Sequence, residues 1–202
     1  MDGLLFYWLF WFGWIITTFF YRKTHPDRLL LSAWILAAIT LSTVSINIMG
    51  FEIHGTGIFI ILSVYIWSAQ LSAKKLLYFM LTSFIVMLTS VCFLLFELFD
   101  PIWILIKRDW LLAILVACVV VLLHSDKKQR LLVVLLGMIQ GEILYAFILT
   151  RYSFSYPIAS LYALDPLALA AAVLIGWNTL EFVISYVEKN LHSIEKEKEK
   201  LT

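Results

Sequence analysis

Apolar residues run in long blocks along this chain, and the polar ones fall between them. Seven blocks can be drawn: Leu4–Tyr21, Leu29–Met49, Thr56–Ala73, Leu76–Phe96, Trp110–His124, Leu131–Thr150 and Leu167–Val187. A helix needs ~20 residues to cross the hydrocarbon core of a bilayer. It also satisfies its backbone hydrogen bonds within its own segment, without water. Each block therefore predicts a transmembrane helix. The fifth is the shortest, and Ile102–Ile106 before it is expected to tilt in and lengthen it. No basic stretch precedes the first block and no small-residue cleavage site follows it, so it is expected to stay as an anchor. The predicted fold class is an all-α integral membrane protein. A bundle of seven transmembrane helices fills residues 1–187, and a charged tail follows over 188–202.

Charge supplies the orientation. Arg22, Lys23, Arg28, Lys74, Lys75, Lys127, Lys128, Arg130, Lys189, Lys196, Lys198 and Lys200 fall on one side of such a bundle, and Lys107, Arg108 and Arg151 on the other. Short loops rich in Lys and Arg stay in the cytoplasm. The N-terminus is thus predicted outside and the C-terminus inside. Composition agrees, with 62% hydrophobic and 14% charged residues and a mean hydropathy of +0.93; a soluble domain carries about 25% charged residues. The net charge of +1 and the lack of a basic face or arm give no reason to expect a nucleic-acid partner. Trp8 and Tyr21 near the ends of the first block suit the interface, where an amphipathic ring is half wet. Cys92 and Cys118 lie inside apolar blocks and are read as small packing residues.

Two outer stretches begin with proline devices. Asp100-Pro101 predicts a cap and first-turn proline for a short apolar helix over 101–108. Pro157 opens a second such stretch over 157–163, after which Asp165-Pro166 is expected to start the seventh helix. Both stretches are expected to rest in the headgroup layer, with a lid over a cavity as the other use. The tail, EKNLHSIEKEKEKLT, reads as the seventh helix emerging into solvent, with weak Glu195–Lys198 and Glu197–Lys200 pairs.

The block LLGMIQGEIL, Leu135 to Leu144, holds the one deeply placed acid. The twelve Leu, Ile, Val and Phe residues of Leu131–Thr150 favour insertion by about 4–7 kcal/mol, against ~2.5–3.5 for a central acid. The helix inserts despite Glu142, and the acid needs a partner. Gly137 and Gly141 form a GxxxG face where another helix can approach closely. Glu142 and Gln140 point to opposite flanks of that face, so protein is expected on both sides. Leu174, Asn178, Glu181, Ser185 and Glu188 recur at i,i+3/i+4 on the seventh helix. Measured from the inner ends, Asn178 and Gln140 come to one depth, so Asn178 is expected to meet Gln140 or Glu142. Glu181 is expected to face cytoplasmic water. The second block adds a hydroxyl-rich run, TLSTVSIN (Thr40 to Asn47). An intramembrane acid is a candidate functional site; the competing reading is a protonated acid donating one hydrogen bond between helices.

Chemistry-bearing motifs are absent. No HExxH, CxxC, GxSxG, P-loop or GxGxxG occurs, and His25, His54, His124 and His192 lie too far apart to build a metal set. Neither a cofactor nor a metal is expected. From MDGLLFYWLFWFGWIITTFFY to the EKEKEK tail, the whole chain resembles the YphA-type small membrane proteins of spore-forming, Bacillus-like bacteria. The resemblance implies a multi-pass protein of a Gram-positive plasma membrane and transfers no activity or site residue. The function read from the residues is a non-enzymatic accessory or interaction protein. The alternative is a small carrier or proton-coupled permease using Glu142 with Asn178 and Glu181. The lipid bilayer is the expected surrounding, and a membrane-protein partner or self-association is left open.

Overall fold

The computed structural model describes residues 2–22, 27–48, 50–100, 102 and 106–201, the last twelve of these as backbone only. Among the described residues, seven α-helices form. They are α1 (Leu4–Ile15, continued by a π-turn over Ile16–Phe20), α2 (Asp27–Leu41), α3 (Gly55–Ser68), α4 (Ala73–Phe99), α5 (Arg108–Leu123), α6 (Lys127–Thr150) and α7 (Leu161–Leu201). Among the described residues, α4, α6 and α7 up to Lys189 are long and apolar enough to cross a membrane. Successive helices alternate in direction. The N-terminus, the ends of α2, α4 and α6 and the start of α7 gather at one end, here the hairpin end. The turns before α4 and α6 mark the basic end, where most Lys and Arg lie. Lys23, the 101–108 stretch apart from Ile102 and residues 106–108, and the side-chain pairings expected in the tail lie outside the described residues.

The second block is not one helix, contrary to the reading Leu29–Met49. Thr40, Ser42 and Thr43 each turn a hydroxyl back onto a carbonyl of the last turns of α2. Such bonds offer the backbone an alternative to continuing the helix. Ser45-Ile46-Asn47-Ile48 then alternates polar and apolar, the strand period. It forms β1 (Ser45–Ile48), antiparallel to β2 (Phe51–His54), with Asn47 opposite Glu52. Gly50 in the turn has φ +88°. The TLSTVSIN run is thus a helix end, a turn and a strand, not a polar face of a helix.

The hairpin anchors the 156–160 segment. Ile158 donates to Glu52 O at 2.8 Å and accepts from His54 N at 3.0 Å. Ile158 and Ala159 are buried, so this stretch docks against the bundle. Ala159 adopts φ +53°, and its Cβ lies 2.6 Å from where a Cβ on Gly57 would sit. Only glycine at 57 lets the segment down this far. The seventh helix starts at Leu161, one turn earlier than Asp165-Pro166 predicts, and Pro166 lies inside it. Asp165 instead caps α1, accepting from Gly3 N at 2.8 Å and Phe6 N at 2.7 Å. The acid stabilises the N-terminus of a neighbouring helix through its free N–H groups and dipole.

Helix α6 is the centre of the bundle. Its apolar window is 61% buried, against 44% for α4 and 28% for α7. Its GxxxG face meets α4. A Cβ on Gly137 would stand 2.6 Å from Val86 Cγ1 and 2.9 Å from Ser83 O; one on Gly141 would stand 3.0 Å from Ser90 Cβ. Helix α4 can come this close only because both sites lack a side chain. Cys92 and Cys118 are exposed and do not pack in the core, because both occupy the outward faces of their helices.

Candidate intramembrane polar site

Three separate polar groups lie along α6. The first surrounds Glu142, which is 6% exposed. The segment after α6 folds back over it, and Tyr156 turns its hydroxyl toward the carboxyl. The approach falls short of an aligned hydrogen bond, so Glu142 Oε2 and Tyr156 Oη both remain unpartnered. Burial pushes the Tyr156 hydroxyl's pKa up, and the neighbouring carboxyl adds to the effect. The Arg108 guanidinium lies within electrostatic reach of Glu142. Arg108 opens α5, donates from Nε to Glu97 Oε2 at 2.7 Å and stacks over the Tyr162 ring at 3.8 Å. Its Nη1 is buried without a hydrogen bond, and the nearest acid, Asp109, is 3.6 Å away. Tyr145 and Tyr156 meet edge to face beside the carboxyl.

The second group is small. Gln140 Oε1 accepts from Ser83 Oγ at 3.2 Å, and its Nε2 approaches Tyr65 Oη at 3.4 Å. It ties α6 to α4 and α3 on one flank, as the opposed directions of Gln140 and Glu142 imply.

The third group sits at the basic end. Arg130, 5% exposed, donates from Nε to His124 O at 2.6 Å and from Nη1 to Asn178 Oδ1 and Glu181 Oε1, both at 2.9 Å. Glu181 also accepts from Trp177 Nε1 and lies 3.7 Å from Lys127 Nζ. Asn178 further exchanges bonds with the backbone and ammonium of Lys127.

Asn178 therefore meets neither Gln140 nor Glu142. The equal-depth expectation fails because α7 does not stop near Val187. It continues past the start of α6 at the basic end, so Asn178 lies level with Lys127. Glu142 is fifteen residues further along α6, about 22 Å at 1.5 Å per residue. Glu181 is ion-paired with Arg130 and Lys127 while its side chain stays 31% exposed, so it faces water as well. Sequence reasoning did not single out Arg108, Glu97, Tyr156 or Arg130. Their signals were present, as an Arg-Asp pair at a helix start, an acid one turn from a helix end and a tyrosine before proline. None of these reveals a partner on another element.

The model of the family described as YphA-like integral membrane protein matches residues 2–200. The Bacillus subtilis (strain 168) protein described as uncharacterized protein YphA is 26% identical over 188 residues, covering 93% of this chain and 92% of that one. No solved structure matches.

Proposed function

The chain belongs to the YphA-like integral membrane proteins, and on that basis we propose a non-enzymatic accessory protein of the bacterial membrane, one that works by contact with another membrane protein. In this reading it crosses seven times, with the hairpin end outside and the basic end in the cytoplasm. The alternating helix directions and the Lys/Arg asymmetry support that orientation.

One observation carries the functional reading. The intramembrane polar residues fall into separate groups: Gln140 bonds on the flank opposite Glu142, and buried apolar turns of α6 lie between Glu142 and the Arg130 group. Between Arg130 and Glu142, α6 buries Val133, Val134, Leu136, Met138 and Ile139 against its neighbours. A carrier needs a connected polar route along its substrate path. The carrier alternative would require Glu142 to communicate with Asn178 and Glu181 across those turns. In its favour stand the three unpartnered atoms Glu142 Oε2, Tyr156 Oη and Arg108 Nη1, where a proton could be exchanged at the hairpin end.

Proteoliposomes with an interior pH dye separate the two. Under an imposed potential the accessory reading expects no protein-dependent proton flux, and no difference between the native chain and Glu142→Gln. It also expects Glu142→Gln to keep its stability in detergent, since an amide retains a donor and an acceptor at the same size. Glu142→Leu should lose roughly 1–2 kcal/mol, because it removes the carboxyl toward which Tyr156 turns and which lies within electrostatic reach of Arg108. A flux that the Gln variant abolishes while staying folded would establish the carrier instead.

A further inference from the structure

At the basic end, the start of α4 and the α5–α6 turn enclose a depression of about 400 Å³, lined by Lys74, Lys75, Tyr78, His124, Asp126 and Gln129 among others. We propose that it is a binding site for a phosphate-type anion, supplied by the headgroup of an anionic phospholipid.

Four features of the site converge on that chemistry. Lys74 and Lys75 are exposed in the first turn of α4, and among the described residues neither is ion-paired. Helix α4 starts there with no side-chain cap: Ser72 occupies the N-cap position, and its hydroxyl makes no capping bond. The first N–H groups of a helix lack internal partners, and the dipole adds about half a positive charge at that end. An anion at such an end satisfies both needs. The third feature is His124, which lines the depression, is 5% exposed, and leaves Nε2 without a partner. Its ring is held against Tyr78 at 5.0 Å, and Tyr78 Oη donates to Leu123 O. The fourth feature is the state of Asp126, the acid in the lining. Its Oδ1 accepts from Lys128 N at 3.0 Å and Gln129 N at 3.4 Å, and its Oδ2 from Gln129 Nε2 at 3.0 Å. Three donors occupy this carboxylate as the cap of α6, which leaves the two lysines to set the sign of the site.

Position favours lipid as the source. The depression lies at the level where α4 and α6 enter their apolar runs, beside exposed Leu77. A headgroup there can keep its acyl chains along α4 while its phosphate meets the lysines. Basic recesses of this kind on the cytoplasmic side of helix bundles suit anionic headgroups.

The test uses the full chain in nanodiscs of phosphatidylcholine, with and without phosphatidylglycerol, followed by thermal unfolding. Phosphatidylglycerol should raise the midpoint of the native chain and of Lys128→Gln, whose side chain does not line the depression. The Lys74→Gln, Lys75→Gln double variant should lose the shift. Its two exposed lysines hold no other element in place, so it should fold. Lipid titration should show roughly fivefold weaker binding per lysine, about 30-fold for the pair. A parallel titration of inorganic phosphate in detergent separates the sources. Protection by phosphate that is lost in the double variant, with no lipid effect, would assign the site to a free anion and overturn the lipid source. An equal loss in Lys128→Gln would mean a diffuse surface charge, and no effect of either ligand would leave no site; either result overturns the proposal.

Discussion

Glu142 illustrates what a residue's sequence context reveals and what it withholds. Its burial was legible, because apolar neighbours on every side leave a carboxyl no water. Its surroundings were not, because Arg108 and Tyr156 come from the start of α5 and from the stretch after α6, and reach it only through the fold. His124 presents the reverse case: an apolar block ends at it, and the structure keeps it buried as the turn begins. Burial, the main cause, holds its imidazole below the ordinary 6.5; Asp126 acts against this and Arg130 with it. Between the folded value and 6.5 the unfolded chain binds a proton that the folded chain does not, so stability rises with pH there. His124 therefore contributes its full share above about pH 6.5, and that share is lost as the pH falls below about 6.5 and through the lower folded value. Unfolding midpoints in detergent should decline from pH 7 toward about pH 5, and His124→Asn should flatten the decline. The same slope in that variant would place the titration on another group.

Among the elements, those with a strong period were the easiest to read. The GxxxG face of α6 was visible as spacing, whereas its partner, α4, was not. Replacing Gly137 or Gly141 by Leu should cost about 1–3 kcal/mol by forcing α4 away. Gly176→Leu should cost little, because nothing stands within 4 Å of a Cβ there. Chemical unfolding in detergent measures the difference, and equal losses at all three sites would remove the close α4–α6 approach as the cause. The hairpin was missed for a physical reason. The isoleucines of its first strand are as apolar as any helix residue, so they merge with the preceding block, and only the two-residue alternation from Ser45 to Ile48 distinguishes them. The early start of α7 was hidden because Asp165-Pro166 has the form of a helix start, while its carboxylate serves α1.

For the whole molecule, the membrane class was written in composition, and the antiparallel order of the helices followed from the short turns. Which polar residues share a group was not, since that depends on how far α7 runs past α6. The orientation can be checked by single cysteines in a background lacking Cys92 and Cys118. Sites beside His54 and Arg151 should react with an impermeant thiol reagent on intact cells, and sites beside Lys75 and Lys128 should not; the reverse pattern would invert the topology. The unequal helices carry a further consequence. At 1.5 Å per residue, the 15 residues of α2 and the 14 of α3 span about 22 and 21 Å, while the 27 of α4 span about 40 Å. The bilayer's apolar thickness is ~30 Å. The excess length of α4 lies in its polar ends, since its apolar run Leu76–Phe96 spans about 31 Å. In the proposed seven-crossing arrangement, the α2–α3 side falls short of the bilayer while α4 matches it. Hydrophobic mismatch costs a fraction of a kcal/mol per Å, so the bilayer should thin beside α2 and α3, and shorter acyl chains should favour that side.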